Sequence, residues 1–419
     1  MKKRSLLFLL INIMVLLAGA NTQAQEIRNY ADTPDNLLPY GQFLDPYMLF
    51  FDTPQPFLGP GRDASAPSNL TSVKIGFVAP LEGSHDDAFG QAMLHGANMA
   101  IDEANTGGGY RGLPYELVVK NDVGLWGATG NEVVELYDEG VWAVVGSIDG
   151  NNSHVALRVV LKLELPMVNT TSTDPTLTET NIPWMIRNVA DDRQNAYAMA
   201  LHIFEKEGLE NVAILRANDR YGRLGVKIFL ESAIRLGHPV RIHMNYMPGT
   251  NDIEPQLEKI RNSNSEAVLI WGNDDDAANI VNRMRELGMD HKVYGSERLV
   301  SDRFLELTGE NAEGVVTTFP YNPQSEDPTY LRFVDEYQQR FGSDPDLFAA
   351  HTYDGMKMLI KSIEEAGLNR VRIRDELTSM TTYHGVTGDI ILDTTWNDVG
   401  KVWMMEVENG KFVTKYSSK

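Results

Sequence analysis

The chain has no cysteine among its 419 residues. Disulfides, thiolate nucleophiles, zinc ribbons and iron–sulfur ligation are therefore excluded. Positive charge is scarce as well: 37 lysines and arginines stand against 58 aspartates and glutamates, a formal net charge of −21. A surface this acidic repels phosphate backbones and anionic lipid, so nucleic acid and membrane surfaces are not expected partners. Hydrolase signatures are missing, with neither a G-x-S-x-G elbow nor an H-E-x-x-H run. The loop PLEGSHDDAFG, Pro80 to Gly90, has the wrong glycine spacing for a phosphate loop, and Gln91 stands where a lysine is needed. No Rossmann glycine fingerprint follows the preceding strand, whose single glycine, Gly76, lies inside it. Asp274-Asp275-Asp276 resembles the start of a calcium loop but lacks the later glycine and glutamate, and reads as the cap of a helix. No metal, no cofactor and no catalysis are expected.

Long apolar runs are confined to the N-terminus. Met1-Lys2-Lys3-Arg4 precedes an apolar stretch from Ser5 to Ala20, and small residues follow at Ala18-Gly19-Ala20 and Thr22-Gln23-Ala24. This reads as a secretory signal peptide over residues 1–24. With no cysteine behind it for acylation, the mature protein is expected to be exported, soluble and not inserted in a membrane. Residues 25–71 form a distinct arm. Its prolines 39, 46, 54, 56 and 60 forbid a long helix, yet Phe43, Tyr47, Phe50, Phe51 and Phe57 are too apolar for a solvated linker. It is expected to pack on its own globular body or on a partner.

From Val73 onward, short β-branched runs alternate with amphipathic ones. VKIGFVA, YELVVKND, VWAVVGS and LPMVNT read as strands, separated by helices at Phe89–Asn105, Gly127–Asp138 and Ser153–Leu163. A second series has strands NVAILRA, VRIHMNY, EAVLIWG and HKVYGS with helices at Asn195–Glu207, Tyr221–Leu236, Ile253–Asn262 and Asp276–Leu287. Near-continuous apolar strands alternating with helices mark buried parallel sheets. The expected fold class is α/β, with two doubly wound parallel-sheet lobes. Ligands in such sheets sit beyond the carboxyl ends of the strands, so two facing lobes make a cleft. Helices at Thr329–Phe341 and Leu347–Ala366 follow, and GDIILDTTWNDVGKVWMMEVENGKF reads as two strands around a polar turn. A cleft with polar groups and no catalytic constellation describes a small-molecule binding protein.

Specific residues then carry a resemblance. KIGFVAPLEGSHDDAFGQAMLHGANMAIDEAN, the VVGS strand end, MVNTTSTDPTLT, NDRYGRLG, the YGSE strand end and the terminal GDIILD…VWMMEVENGK are similar, in order and spacing, to the leucine/isoleucine/valine-binding family of periplasmic solute receptors for ABC transporters. The resemblance covers roughly five-sixths of the chain. It implies a three-crossover hinge near 190–193, near 318–321 and in the last segment, with lobe 1 over 72–191 and about 320–398, and lobe 2 over 192–319 and about 399–419. It also implies a periplasmic protein that closes on a ligand and presents the closed form to an inner-membrane permease. A sensor that docks a separate membrane receptor is the alternative.

The site residues come from the same resemblance. The family holds an amino acid's carboxylate on lobe 1, on the loop around Gly150, Asn151, Asn152 and Ser153 and the loop holding Thr171 and Thr173. The family often has serine where Gly150 stands, so Asn151, Asn152 or Ser153 is expected to replace that contact. Glu297 matches the glutamate that pairs with the ligand's ammonium, and Tyr221 a tyrosine reaching the ligand. Asp192 matches a hinge-region aspartate, with Asp191 beside it leaving the register open. Phe89 matches an aromatic over the ligand's side chain, and Asn273 ends a lobe 2 strand at the cleft. The ligand is expected to be an amino acid, branched-chain or related, or a similar amine or carboxylate solute. Aromatic acids, amides and urea-like solutes are the alternatives.

Overall fold

The computed structural model describes residues 60–418. The signal segment and the aromatic part of the arm lie outside the described residues. Five parallel strands build lobe 1: β1 (Val73–Ala79), β2 (Tyr115–Asn121), β3 (Val144–Gly146), β4 (Met167–Asn169) and β5 (Met185–Arg187). Their order is β2-β1-β3-β4-β5. Lobe 2 repeats the plan with β6 (Val212–Ala217), β7 (Ile242–Tyr246), β8 (Ala267–Trp271), β9 (Lys292–Gly295) and β10 (Val316–Phe319), in the order β7-β6-β8-β9-β10. Central strands are buried throughout, as in β8, whereas edge strand β7 alternates between exposed and half-buried. Successive residues of β6 feed opposite faces: Ala213, Leu215 and Ala217 enter one apolar cluster, Val212 and Ile214 another.

The helices in chain order are α1 (Asp87–Thr106), α2 (Trp126–Asp138), α3 (Gly150–Leu163), the single turn α4 (Thr176–Glu179), α5 (Asp192–Ala200), α6 (Arg220–Arg235), α7 (Glu254–Arg261), α8 (Asp274–Glu286), α9 (Asp302–Thr308), α10 (Pro328–Phe341), α11 (Leu347–Ala366) and α12 (Arg370–Ser379). Asp274, Asp275 and Asp276 occupy the first turn of α8, where carboxylates favour the helix's positive end.

Several details depart from the sequence reading. Strands β5 and β10 are not anticipated from the sequence, although β10 lies in the β-branched run VVTTF, residues 315–319; three or four residues suffice because sheet neighbours supply the hydrogen bonds. Helix α5 starts three residues before Asn195, because Asp191 caps it and Gln194 closes a reciprocal capping box. The terminal run is not one two-stranded unit. GDII forms β12 (Gly388–Ile391), paired with β11 (Thr382–Gly385). WMMEVE forms β13 (Trp403–Glu408), which lies antiparallel between β10 and β14 (Lys411–Ser417). Cross-strand pairing is tertiary information that adjacency in sequence does not supply.

The chain passes between lobes after β5, after β10 and before β13. Arg187 ties the first and third passages. Its side chain is fully buried and donates to Asp191 at 2.9 Å and to Asn397 Oδ1 at 2.8 Å from Nε and 2.6 Å from Nη2. It also reaches the carbonyls of Ser172 and Asp174, which stand on the cleft loop.

Candidate functional site

Both sheets reverse their winding direction between the second and third strands of their order, β1 and β3 in lobe 1 and β6 and β8 in lobe 2, and loops leaving the carboxyl ends there form a crevice. The two crevices face each other. Lobe 1 supplies the loops after β1, β3, β4 and β5. Lobe 2 supplies the loops after β6, β8 and β9. Gly150, Ser172, Thr173, Asp174, Asp192, Arg220, Tyr221, Leu224 and Arg298 line the pocket between them, whose volume is about 10 Å³, room for one water molecule.

The lobes are closed on each other. Arg220 Nε, at the start of α6, donates to Asp174 Oδ2 at 2.5 Å, and its Nη2 to Thr176 at 2.9 Å. Asn273 Nδ2 donates across the cleft to Asp86 at 3.1 Å, while its Oδ1 accepts from Arg298 Nη1 at 2.9 Å. Arg298 lies over the Tyr221 ring at 3.9 Å. Tyr221 in turn donates its hydroxyl to Glu297 Oε1 at 2.8 Å.

The polar groups at the pocket are incompletely paired. Glu297 is 1 % exposed, and its Oε2 has no hydrogen-bond partner. Asp192 is equally buried, with neither carboxylate oxygen partnered. The hydroxyls of Ser172 and Thr173 are likewise buried and unpartnered. Thr173 lies near enough to ease the charge on Asp192 without reaching hydrogen-bonding geometry. Burial, then the neighbouring Glu297, pushes the pKa of Asp192 well up. Burial also raises Glu297, against the opposing pull of Arg298 and the Tyr221 hydroxyl. Native interiors rarely leave such groups orphaned, and a cluster of them in one cleft marks a place built to receive donors.

The nominated residues fall into three groups. Gly150, Thr173, Asp192 and Tyr221 line the pocket, with Glu297 on Tyr221 and Asn273 at the seam between the lobes. Phe89 stacks on Phe348 within lobe 1, with ring centroids 4.4 Å apart, and does not line the closed pocket. The third group serves lobe 1 itself. Asn151 is exposed; Asn152 donates to Asp122 at 3.0 Å. Ser153 bonds the Ser147 carbonyl and accepts from Asn169, and Thr171 donates to the carbonyls of Ser147 and Ile148. Asp191 and Asp192 divide their roles: Asp191 caps α5 and Asp192 faces the pocket. Sequence reasoning missed Asp174, Arg220 and Arg298. Asp174 and Arg220 sit inside the quoted runs STDPTLT and NDRYGRLG, but only the approach of the lobes makes them a pair. Among the described residues, no group of three or more histidine or carboxylate side chains is placed to hold a metal.

The profile of the periplasmic binding protein family matches residues 72–411. The chain belongs to that family. A Leu/Ile/Val-binding protein homolog of Brucella melitensis is 24 % identical over 303 residues, which is 72 % of this chain and 81 % of that protein. The crystal structure of a leucine-binding protein from Thermotoga maritima superposes with a TM-score of 0.76 at 25 % identity, covering 82 % of this chain and 98 % of the other. The branched-chain amino acid transporter substrate-binding protein of Streptococcus pneumoniae, solved with isoleucine, gives a TM-score of 0.76 at 24 % identity and shares the fold over 82 % of this chain and the whole of its own. The two-lobed α/β architecture is thus that of the type I periplasmic binding proteins. Among the described residues, no helix is long and apolar enough to cross a membrane.

Proposed function

We propose that the chain is the periplasmic substrate-binding component of an ABC transporter, and that it captures a small amine-bearing solute in the interlobe cleft without chemical change. Amino acids, branched-chain ones first, are the leading class. The observation that carries this reading is the pair Asp192 and Glu297: two buried carboxylates with three oxygens awaiting donors, between lobes hinged to move. A buried charge without a partner is costly, and an ammonium group removes that cost. Relatives named for leucine, isoleucine and valine support the class.

The pocket as closed is far smaller than any amino acid, so loading requires the lobes to part about the three crossings. Ligand lands on lobe 1, lobe 2 swings in, and the closed form is the state a permease reads. Thermal unfolding of the mature protein against amino acids, amides and aromatic carboxylates tests the reading. A rise in melting temperature with an amine-bearing solute, lost in Glu297→Gln, is expected. A rise only with carboxylates lacking an amine would refute the role of Glu297. No rise with any of them would refute capture of these solutes.

A further inference from the structure

The space beside Gly150, where the resemblance places a ligand's carboxylate, is filled by the chain itself. A Cβ added to Gly150 would lie 2.2 Å from Asp174 Oδ2 and 2.9 Å from its Cγ. The Asp174 carboxylate therefore occupies the space a side chain at position 150 would take, against the first turn of α3. Asp174 is 5 % exposed and fully engaged: Oδ1 accepts from the Thr176 amide at 2.9 Å and hydroxyl at 2.7 Å, and Oδ2 from Arg220. Asp149, the cap of α3, takes the Asn152 amide at 2.8 Å. Two carboxylates of the chain thus meet the positive end of this helix, and the guanidinium across the cleft is committed to one of them. An incoming carboxylate here would meet like charge in a desolvated pocket.

The opposite wall has the reverse character. Asp192 offers two unpartnered oxygens and Glu297 one. A primary ammonium has three N–H donors, one for each. Arg220 is bonded to Asp174 and Arg298 pulls on Glu297, whereas both oxygens of Asp192 have no partner. The hydroxyls of Ser172 and Thr173 remain to accept or donate beside it.

We propose, resting on the solute-capture reading above and narrowing its ligand class from amino acids to amines, that the preferred ligand is a primary amine without an α-carboxylate, its ammonium held between Asp192 and Glu297 while Asp174 excludes the carboxylate. Calorimetric titration of the mature protein with matched pairs tests this: leucine and 3-methylbutylamine, phenylalanine and 2-phenylethylamine, lysine and 1,5-diaminopentane, arginine and agmatine. At least one amine is expected to bind roughly tenfold or more tightly than its parent amino acid, about the discrimination one misplaced charge gives. Asp174→Asn should narrow that gap several-fold while the protein keeps its native circular dichroism. Asp192→Asn should abolish amine binding. Parent amino acids binding more tightly than their amines in every pair that binds would overturn the proposal, place the carboxylate on Arg298, and leave the solute-capture reading standing. Binding of neither member of any pair would overturn both.

Discussion

Arg187→Met perturbs a fully buried side chain that joins the first and third interlobe passages. The guanidinium is fully buried, and its removal leaves Asp191, 1 % exposed, without its nearer cation. Breaking a buried pair costs about 3–5 kcal/mol. Arg193 Nη1 remains 3.4 Å from the same Asp191 oxygen, which places this loss near the low end, about 3 kcal/mol. Asn397 Oδ1 also loses both of its donors from Arg187, adding about 1 kcal/mol. The expected loss is about 4 kcal/mol, far above the roughly 0.5 kcal/mol expected for Lys227→Ala, whose partner Glu231 lies 3.7 Å away on an exposed helix face. Burial pushes Asp191 up to about 6, so the comparison belongs at pH 7.5, where its carboxylate is ionised. Urea unfolding followed by tryptophan fluorescence measures it. Arg187→Met combined with Asp191→Asn keeps an N-cap on α5 and removes the stranded charge, and should recover about 2 kcal/mol. A loss below about 1 kcal/mol for Arg187→Met would refute the view that this guanidinium holds the passages together.

Four further outcomes follow from the site and its surroundings. Asp192→Asn should stabilise the ligand-free protein by about 1–2 kcal/mol, since the carboxylate is buried without donors. The folded pKa of Asp192 lies above its unfolded value, so wild-type stability is full below the unfolded pKa and declines as pH rises through the folded one; thermal unfolding across pH should show that decline weakened in the variant. Affinity for an ammonium ligand runs the other way, weakening as pH falls through the raised pKa values of Asp192 and Glu297; a titration series with a constant affinity from pH 5 to 8 would count against the pair as the cation's partner. Gly225→Ala in α6 would gain about 0.5–1 kcal/mol of helix preference. Its Cβ, however, would lie 2.2 Å from the indole of Trp271, 1 % exposed, so the net result should be a loss of about 1 kcal/mol in unfolding free energy. Arg220→Ala should cost less than about 1 kcal/mol, because its side chain is 30 % exposed, yet should increase the radius of gyration in X-ray scattering by freeing the lobes; an unchanged radius would show that this ion pair does not hold them.

How far the sequence reaches differs between fold and site. VKIGFVA and EAVLIWG announce buried parallel strands because, Lys74 and Glu266 aside, their residues are apolar or glycine, and both lie in the interior of their sheets. β5 is only three residues long, and β10 lies in the β-branched run VVTTF that the reading passed over; sheet neighbours complete the hydrogen bonds of both. At the site, Glu297 follows β9 and Tyr221 lies in the first turn of α6, positions that the βα alternation already places on the cleft. Their mutual hydrogen bond is within lobe 2 and joins residues 76 apart, which no local pattern encodes. Asn152, Ser153 and Thr171 show the converse. Their polar side chains in a cleft-side loop suggest ligand contact, but the loop's own carbonyls and Asp122 take their hydrogen bonds.

The sequence by itself determined the alternation of strand and helix, hence two doubly wound lobes, and the loops that face the cleft between them. Hydrophobic period and turn chemistry are local, and local interactions suffice to write them. Only the tertiary structure decided which acidic groups are neutralised. Asp174 meets Arg220 across the cleft and fills the space beside Gly150, whereas Asp192 and Glu297 are left with open oxygens. In a chain with 58 acidic residues, each carboxylate looks alike until burial and the position of the other lobe set its partners.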